Sequence, residues 1–231
     1  MEPEPLLRQQ VAYYRARAPE YDEWFLRKGR YDRGPEHRDA WFGEISTIEA
    51  VLRATLRQKN VLEFACGTGL WTRHLAENNR RVIAVDSSPE ALAINRKRVG
   101  LGNVQYVAAD IFSWVPSGPR FDAVVFAFWL SHVPPVWFDR FWATVRNALK
   151  PNGEAFFVDS LLEQTSTARD HGPLGESGIV RRRLNDGREF EIVKLFYRPG
   201  ELERRLAEQG WQGSVRSSGR FFLYGSMTPA K

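Results

Sequence analysis

Short apolar runs alternate with segments of helical periodicity from residue 61 onward. The five runs are VLEFAC (61–66), VIAVDS (82–87), VQYVAAD (104–110), FDAVVFAF (121–128) and EAFFVDS (154–160). Strands that are apolar throughout are buried on both faces, and their alternation with helices is typical of a parallel sheet covered on both sides. The pattern therefore predicts a doubly wound α/β core over residues 58–160.

The first 57 residues have a different pattern, which predicts helices. Four apolar residues are spaced to form one stripe on a helix: Trp41, Ile45, Ile48 and Leu52. The stretch at 13–34 is crowded with aromatic and basic residues and is broken by Pro19 and Gly29, so a single amphipathic helix cannot run through it. We expect a helical preface over 1–57.

The segment 161–197 is predicted to be an insertion that contains a hairpin. Its runs GIVRRRL and REFEIVKLFY are separated by Asn185, Asp186 and Gly187, and an Asp-Gly pair between two such runs is a strong hairpin signal. A short helix over about 199–209 and two last strands, WQGSVRSS and RFFLYGSM, follow within 198–231. No linker-like stretch divides the chain, so we expect one domain.

The composition agrees with a globular protein. Hydrophobic residues make up 43% and charged residues 26% of the chain, far from the composition of a disordered protein. No run approaches the roughly 18–20 apolar residues that a membrane span needs. The single cysteine, Cys66, excludes an intrachain disulfide. These features together favour a cytoplasmic protein with no membrane partner.

Basic residues exceed acidic ones, at 33 against 28, but the arginines are dispersed along the chain. The densest cluster is Arg181, Arg182 and Arg183. Alternation along a strand sends these side chains to opposite faces, and a solvated sheet edge is the favoured interpretation. We therefore expect no nucleic-acid partner. The sequence leaves the oligomeric state open, with a homodimer as one alternative.

The first apolar run ends in a turn of small residues. In VLEFACGTG (61–69), Ala65, Gly67 and Gly69 leave room for a ligand to touch the backbone, and glycine also permits positive φ. Glycines between a strand and a helix suit a phosphate as well, so the turn alone leaves both kinds of ligand open.

Two carboxylates at the ends of the next runs favour a nucleoside. Asp86 ends the second run, where a carboxylate can accept both hydrogen bonds of a ribose diol. Asp110 ends the third run beside apolar Ile111 and Phe112, which suits an adenine held by its edge and its face. Thr72 stands where a dinucleotide-binding dehydrogenase would have its third glycine, which disfavours that class.

The motifs VLEFACGTG, VIAVDSSPEAL, AADIFSW and FDAVVFAFWLSHVP resemble, in order and spacing, those of the class I S-adenosylmethionine (SAM)-dependent methyltransferases. The resemblance covers about residues 55–160. It implies a Rossmann-like, mostly parallel sheet of seven strands in the order 3-2-1-4-5-7-6, with the last strand antiparallel and the preface acting as a helical lid. It also implies SAM as the methyl donor and S-adenosylhomocysteine (SAH) as the product.

The resemblance assigns roles to individual residues. Gly67 and Gly69 would lie under the methionine and ribose portions of the donor, and Phe126 and Ala127 would lie near its amino group. Tyr14 or Tyr21 would contact the donor carboxylate, with Arg30 as a rival. The donor-binding set is Tyr14, Tyr21, Glu63, Ala65, Gly67, Gly69, Asp86, Ser87, Asp110, Ile111, Phe126 and Ala127.

His132 is the first candidate for a catalytic base, because a neutral imidazole can take the proton of an acceptor hydroxyl. Packing beside the donor is its structural alternative. Asp159 is the second catalytic candidate, with a loop-orienting role as its alternative. No local spacing of metal ligands involves His37, His74 or His171, so we expect no metal.

The residues after the fourth run bear on the acceptor. Enzymes that methylate the exocyclic amines of bases have Asn-Pro-Pro-Tyr or Asp-Pro-Pro-Tyr there, whereas this chain has Ala-Phe-Trp-Leu at 127–130. We predict methyl transfer to a small organic acceptor, with oxygen favoured. Methylation of nitrogen or carbon, or a regulatory protein that binds SAM without turnover, are the alternatives.

Overall fold

A computed structural model describes residues 3–115, 120–174 and 178–230; residues 175–177 of the predicted insertion lie outside the described part. The strands are β1 (Asn60–Phe64), β2 (Arg81–Asp86), β3 (Val104–Ala108), β4 (Phe121–Ala127), β5 (Leu149–Ser160), β6 (Ile179–Arg183), β7 (Glu189–Val193), β8 (Trp211–Ser217) and β9 (Phe222–Pro229). The helices are α1 (Pro3–Arg17), α2 (Tyr21–Phe25), α3 (Pro35–Thr55), α4 (Thr72–Asn78), α5 (Pro89–Val99), α6 (Phe138–Ala148) and α7 (Pro199–Glu208).

Seven strands form one sheet in the order β3-β2-β1-β4-β5-β9-β8. Strands β1 to β5 are parallel, and β9 is antiparallel to both β5 and β8. When the strands of this sheet alone are numbered, the order is 3-2-1-4-5-7-6, so the predicted topology is confirmed. The remaining strands, β6 and β7, form a separate antiparallel hairpin.

Alternate side chains of the central strands enter two different cores. Leu62 and Phe64 of β1 belong to the core that α6 covers, whereas Val61 belongs to the core that α3 covers. The predicted stripe of α3 is buried in the second core. Burial on both faces explains why these strands are apolar throughout.

The preface is not one continuous helix. Helix α1 ends at Arg17, and α2 begins at Tyr21 after a turn that contains Pro19. A third apolar cluster joins Tyr13 of α1 to Val180 and Ile192 of the hairpin. The hairpin therefore packs against α1. None of the described helices is long and apolar enough to cross a membrane.

Candidate active site

A cavity of about 760 Å³ opens at the carboxyl ends of β1 to β4, and α1 forms its opposite wall. Doubly wound sheets bind ligands at this edge, and cavities of roughly 300–1,000 Å³ accommodate molecules of cofactor size. The predicted site residues in its wall are Tyr14, Tyr21, Ala65, Gly67, Asp86, Ser87, Asp110, Ile111, Ala127 and His132.

The turn after β1 leaves space for a ligand above its backbone. Ala65 and Gly67 have φ values of 50° and 51°, in the left-handed region. This region is open to glycine but costs an alanine roughly 1–2 kcal/mol. A Cβ at Gly67 would have one heavy atom within 4 Å, the Ala65 carbonyl oxygen at 3.9 Å, so the room beyond it belongs to the cavity.

Asp86 connects the turns that follow β1 and β2. One of its carboxylate oxygens accepts a hydrogen bond from the Gly67 amide at 2.8 Å, and the other accepts one from the Ser88 amide at 2.9 Å. Burial raises the pKa of Asp86, and the backbone hydrogen bonds oppose that shift. Each carboxylate oxygen has two lone pairs, and Asp86 lines the cavity, so the carboxylate can still accept a hydrogen bond from a ligand there.

The segment after β3 provides an apolar slot with a polar edge. Ile111 is buried, and the ring of Phe112 packs edge-on against Trp137 with centroids 4.6 Å apart. Asp110 accepts a hydrogen bond from the Phe112 amide at 3.0 Å and also lines the cavity. A carboxylate beside apolar side chains suits a purine, which has an exocyclic amine donor and apolar ring faces.

Gly69 and Phe126, both predicted to bind the donor, lie beneath the described cavity wall. A Cβ at Gly69 would lie 2.5 Å from Oδ1 of Asn95, so this glycine is needed for close packing against α5. The ring of Phe126 stacks on Phe157 in the core, with centroids 5.5 Å apart. Strand alternation is the reason, because Ala127 at the end of β4 faces the cavity and the preceding residue of the strand, Phe126, must face away.

Glu63 is also absent from the described cavity wall. It is buried below the turn, and the nearby Thr72 hydroxyl opposes the rise in its pKa that burial causes. Its Oε2 atom has no hydrogen-bond partner among the described residues. Burial raises the pKa of Glu63 to about 8, so at neutral pH the side chain is mostly a neutral acid that supports the turn.

Asp159 holds the loop that carries His132 in position through hydrogen bonds. Its carboxylate accepts hydrogen bonds from the backbone amides of Ser131 at 2.8 Å and Ser160 at 2.7 Å, and the Lys194 ammonium lies 3.5 Å away. Asp159 is fully buried and does not appear among the described residues that line the 760 Å³ cavity. The structure thus separates the two residues that the sequence predicts as catalytic.

His132 lies in the cavity wall with both ring nitrogens hydrogen-bonded. Nδ1 lies 2.6 Å from the Val193 carbonyl oxygen, and Nε2 lies 2.8 Å from the Tyr14 hydroxyl. A carbonyl oxygen only accepts, so Nδ1 carries the proton and Nε2 accepts from Tyr14. Burial lowers the pKa of His132 well below its usual range, and the nearby Lys194 lowers it further. The imidazole is therefore neutral at physiological pH.

We expect the His132 ring to remain neutral in the free protein below about pH 6.5, where an unperturbed histidine becomes protonated. An unperturbed histidine is half protonated near pH 6.5, whereas burial moves protonation of His132 to lower pH. Long-range ¹⁵N NMR of the ring nitrogens measures both the charge and the tautomer, and a His132→Asn variant assigns the signals. Two equivalent imidazolium nitrogens at pH 6 would contradict this assignment.

Comparison with known proteins identifies the family. A model of the methyltransferase domain family matches residues 61–153. A solved structure described as a DhpI–SAM–HEP complex is 40% identical, with a TM-score of 0.79 over 97% of this chain and 98% of that chain. The DhpI–SAH complex is 39% identical, with a TM-score of 0.78 over 97% of each chain. This chain belongs to the class I SAM-dependent methyltransferases.

A curated relative of the methyltransferase is the ubiquinone biosynthesis O-methyltransferase of Sinorhizobium fredii. It is 29% identical over 169 residues, which is 72% of this chain and 65% of that enzyme. The methyltransferase thus spans slightly less than two thirds of that relative's length. Together with the SAM and SAH complexes, the family establishes SAM as the methyl donor, and the 760 Å³ cavity has the size and the polar groups to hold it.

A second, smaller cavity of about 60 Å³ adjoins the first in the methyltransferase. Arg182 lines it, so the prediction of a solvated edge for all three arginines is wrong. Strand alternation does place Arg181 and Arg183 in solvent, but it turns Arg182 inward, where the packing of the hairpin against α1 buries it. Val180 and Arg182 share the buried face of β6.

Two further cations of the small cavity were not predicted from the sequence. Arg17 ends α1, and Lys194 follows β7; both are nearly fully buried. Neither lies in a motif, and the two residues are 177 positions apart in sequence. Arg30, by contrast, forms ion pairs with Glu20 and Asp170 and is not among the described residues of either cavity wall.

The described part of the methyltransferase contains no group of three or more His, Cys, Asp or Glu side chains arranged to hold a metal ion. Two possible metal ligands, His132 and His171, line the small cavity, but the candidate carboxylate Asp159 is not among the described residues that line it. Burial and the nearby Arg182 lower the pKa of His171 to about 4, so this second histidine is also neutral at physiological pH.

Proposed function

We propose that the protein transfers a methyl group to an oxygen of a small organic acceptor, with Tyr14 and His132 receiving the acceptor proton. The observation that supports this proposal is the Tyr14–His132 hydrogen bond at the boundary of the two cavities. Both residues line the large donor-sized cavity and the small one. An acceptor that occupies the small cavity would contact this pair beside the donor.

The donor would be held by residues at the ends of three strands. Asp86 offers free lone pairs to the ribose hydroxyls, Asp110 and Ile111 offer an edge and a face to adenine, and the turn at Gly67 admits the donor against the backbone. SAM supplies the methyl group as an electrophilic sulfonium. The protein therefore contributes mainly position and the exclusion of water.

The proton of a hydroxyl acceptor has a short route away from the acceptor oxygen. It passes to the Tyr14 oxygen while the Tyr14 hydroxyl gives its own proton to Nε2 of His132. Burial raises the pKa of Tyr14 well above its usual value, so tyrosinate does not accumulate and the two transfers occur together. A weak base is sufficient, because an oxygen that is gaining a methyl group becomes strongly acidic.

Charge near the pair favours oxygen over nitrogen as the acceptor atom. An aliphatic amine is a cation at neutral pH, and Arg17, Arg182 and Lys194 would repel it from the small cavity. The name of the Sinorhizobium fredii relative, an O-methyltransferase, points to the same atom.

Label transfer from SAM with a ¹³C methyl group tests the proposal. The protein is incubated with labelled SAM and a metabolite extract, and ¹H–¹³C NMR distinguishes a methoxy product from N-methyl and C-methyl products. We expect a methoxy signal that is absent with the Asp86→Ala variant. An N-methyl or C-methyl product would contradict O-methylation, and no transfer at all would favour a regulatory SAM-binding protein.

A further inference from the structure

The small cavity has a strongly one-sided charge. Of the described residues that line it, three are cationic, namely Arg17, Arg182 and Lys194, and none is Asp or Glu. It shares four side chains with the large cavity: Tyr14, Tyr21, Phe128 and His132. A molecule in it would therefore lie next to the donor.

Each cation is removed from solvent. Arg17 and Arg182 are 8% exposed and Lys194 is 9% exposed. The Arg17 guanidinium lies near the rings of Tyr13 and Tyr21, with centroid distances of 5.4 and 5.1 Å, and its Nε atom has no hydrogen-bond partner among the described residues. Aromatic faces stabilise a cation, but they do not neutralise it.

The described carboxylates neutralise only one of the three charges. Asp159 lies 3.5 Å from Lys194, whereas neither Arg17 nor Arg182 forms an ion pair with a described carboxylate. Burial lowers the pKa of Arg182, and Arg17 lowers it further. Buried charge without a counterion is costly, so this arrangement favours a ligand that brings about two negative charges.

The other donors and the size of the cavity limit the ligand. Ser166 has a buried hydroxyl with no hydrogen-bond partner among the described residues, and Ser160 and Thr167 also line the cavity. A volume of about 60 Å³ corresponds to only a few water-sized spheres. It therefore accommodates a compact head group surrounded by donors and excludes a long chain.

We propose that the small cavity binds a doubly charged tetrahedral oxyanion, the phosphate or phosphonate head group of the acceptor. The assignment of this anion to the acceptor rests on the proposed methyl transfer. The binding of an anion in the cavity is independent of it. Guanidinium groups match phosphoryl oxygens in geometry as well as in charge. Tyr14 and His132 then face the part of the acceptor that lies next to the donor.

Calorimetric titration of the SAH-loaded protein with inorganic phosphate tests this site. We expect phosphate to bind the wild-type protein and to bind Arg182→Gln at least tenfold more weakly. Arg181→Gln is the matched control, since Arg181 is the adjacent residue of β6 but is exposed, and we expect it to bind phosphate as the wild type does. Acetate, a monoanion, should bind more weakly than phosphate.

Lys194→Gln provides a second variant if Arg182→Gln does not fold, as judged by its circular dichroism and thermal unfolding. Wild-type protein that does not bind phosphate, or equal binding by wild type and both cavity variants, would overturn the proposal, as would tighter binding of acetate. The two proposals fail separately. A methoxy product without phosphate binding leaves the methyl transfer intact, and phosphate binding without a methoxy product leaves the anion site intact.

Discussion

Replacing Asp86 with alanine is expected to weaken the binding of SAM and SAH at least 100-fold. The variant loses a buried carboxylate that would accept two ribose hydroxyls, and hydrogen bonds to a charged group contribute about 1.5–3 kcal/mol each. It also releases the Gly67 and Ser88 amides, which hold the two turns beside the donor. Since about 1.4 kcal/mol corresponds to a factor of ten, a loss near 3 kcal/mol exceeds 100-fold.

Isothermal titration with SAH measures this loss without any acceptor. Asp86→Asn is the graded variant, because its amide keeps the shape and one acceptor oxygen but loses the charge, and we expect its affinity to lie between those of wild type and Asp86→Ala. Thermal unfolding of each variant shows whether the turns still fold. Undiminished affinity in a folded Asp86→Ala protein would contradict the donor assignment.

Replacing Tyr14 with phenylalanine is expected to lower kcat about 100-fold while the Kd for SAM changes little. General acid–base groups contribute roughly 10²–10⁴ to the rate, and this change removes the hydroxyl that joins the acceptor to Nε2 of His132. His132→Asn should have a similar effect, because the asparagine amide can still donate to the Val193 carbonyl but offers no basic nitrogen. Kinetics with the acceptor found by label transfer provides kcat.

Tyr13→Phe is the control for this change. Tyr13 is the neighbouring residue, is fully buried, and has a hydroxyl with no hydrogen-bond partner among the described residues. We therefore expect its removal to leave kcat nearly unchanged. If Tyr14→Phe instead weakened SAM binding and preserved kcat, Tyr14 rather than Tyr21 or Arg30 would be the ligand of the donor carboxylate, and it would not be part of a proton route.

The sheet could be predicted because its signals are local. Each strand is a short apolar run. The turn after a strand contains residues that indicate a ligand site, such as the small residues Ala65 and Gly67 or the carboxylate of Asp86. Because the strands are parallel, all of these residues lie at the same edge of the sheet, at the carboxyl ends of the strands. The same locality limits the prediction for Phe126, since a motif names neighbouring residues but only the pleat decides which side chain faces the cavity.

The small cavity could not be predicted, because it forms only when the hairpin packs against α1. Arg17 lies 165 positions before Arg182, and nothing in the run Arg181–Arg182–Arg183 or around Lys194 indicates which of these cations meets Arg17 in the fold. The same packing decides the charge of His132, since its low pKa comes from burial and from Lys194, which the chain brings in from 62 positions away. Residues that tertiary contacts bring together leave no periodicity in the sequence.

Helix α1 contributes residues to the walls of both cavities, and this arrangement links the two ligands. Tyr14 touches both spaces, Arg17 belongs to the small one, and Arg15 connects the helix to Glu90 of α5 beside the large one. A shift of α1 that improves one site must alter the other. The binding of donor and acceptor is then thermodynamically coupled: if the donor changes the affinity for the acceptor by some factor, the acceptor changes the affinity for the donor by the same factor.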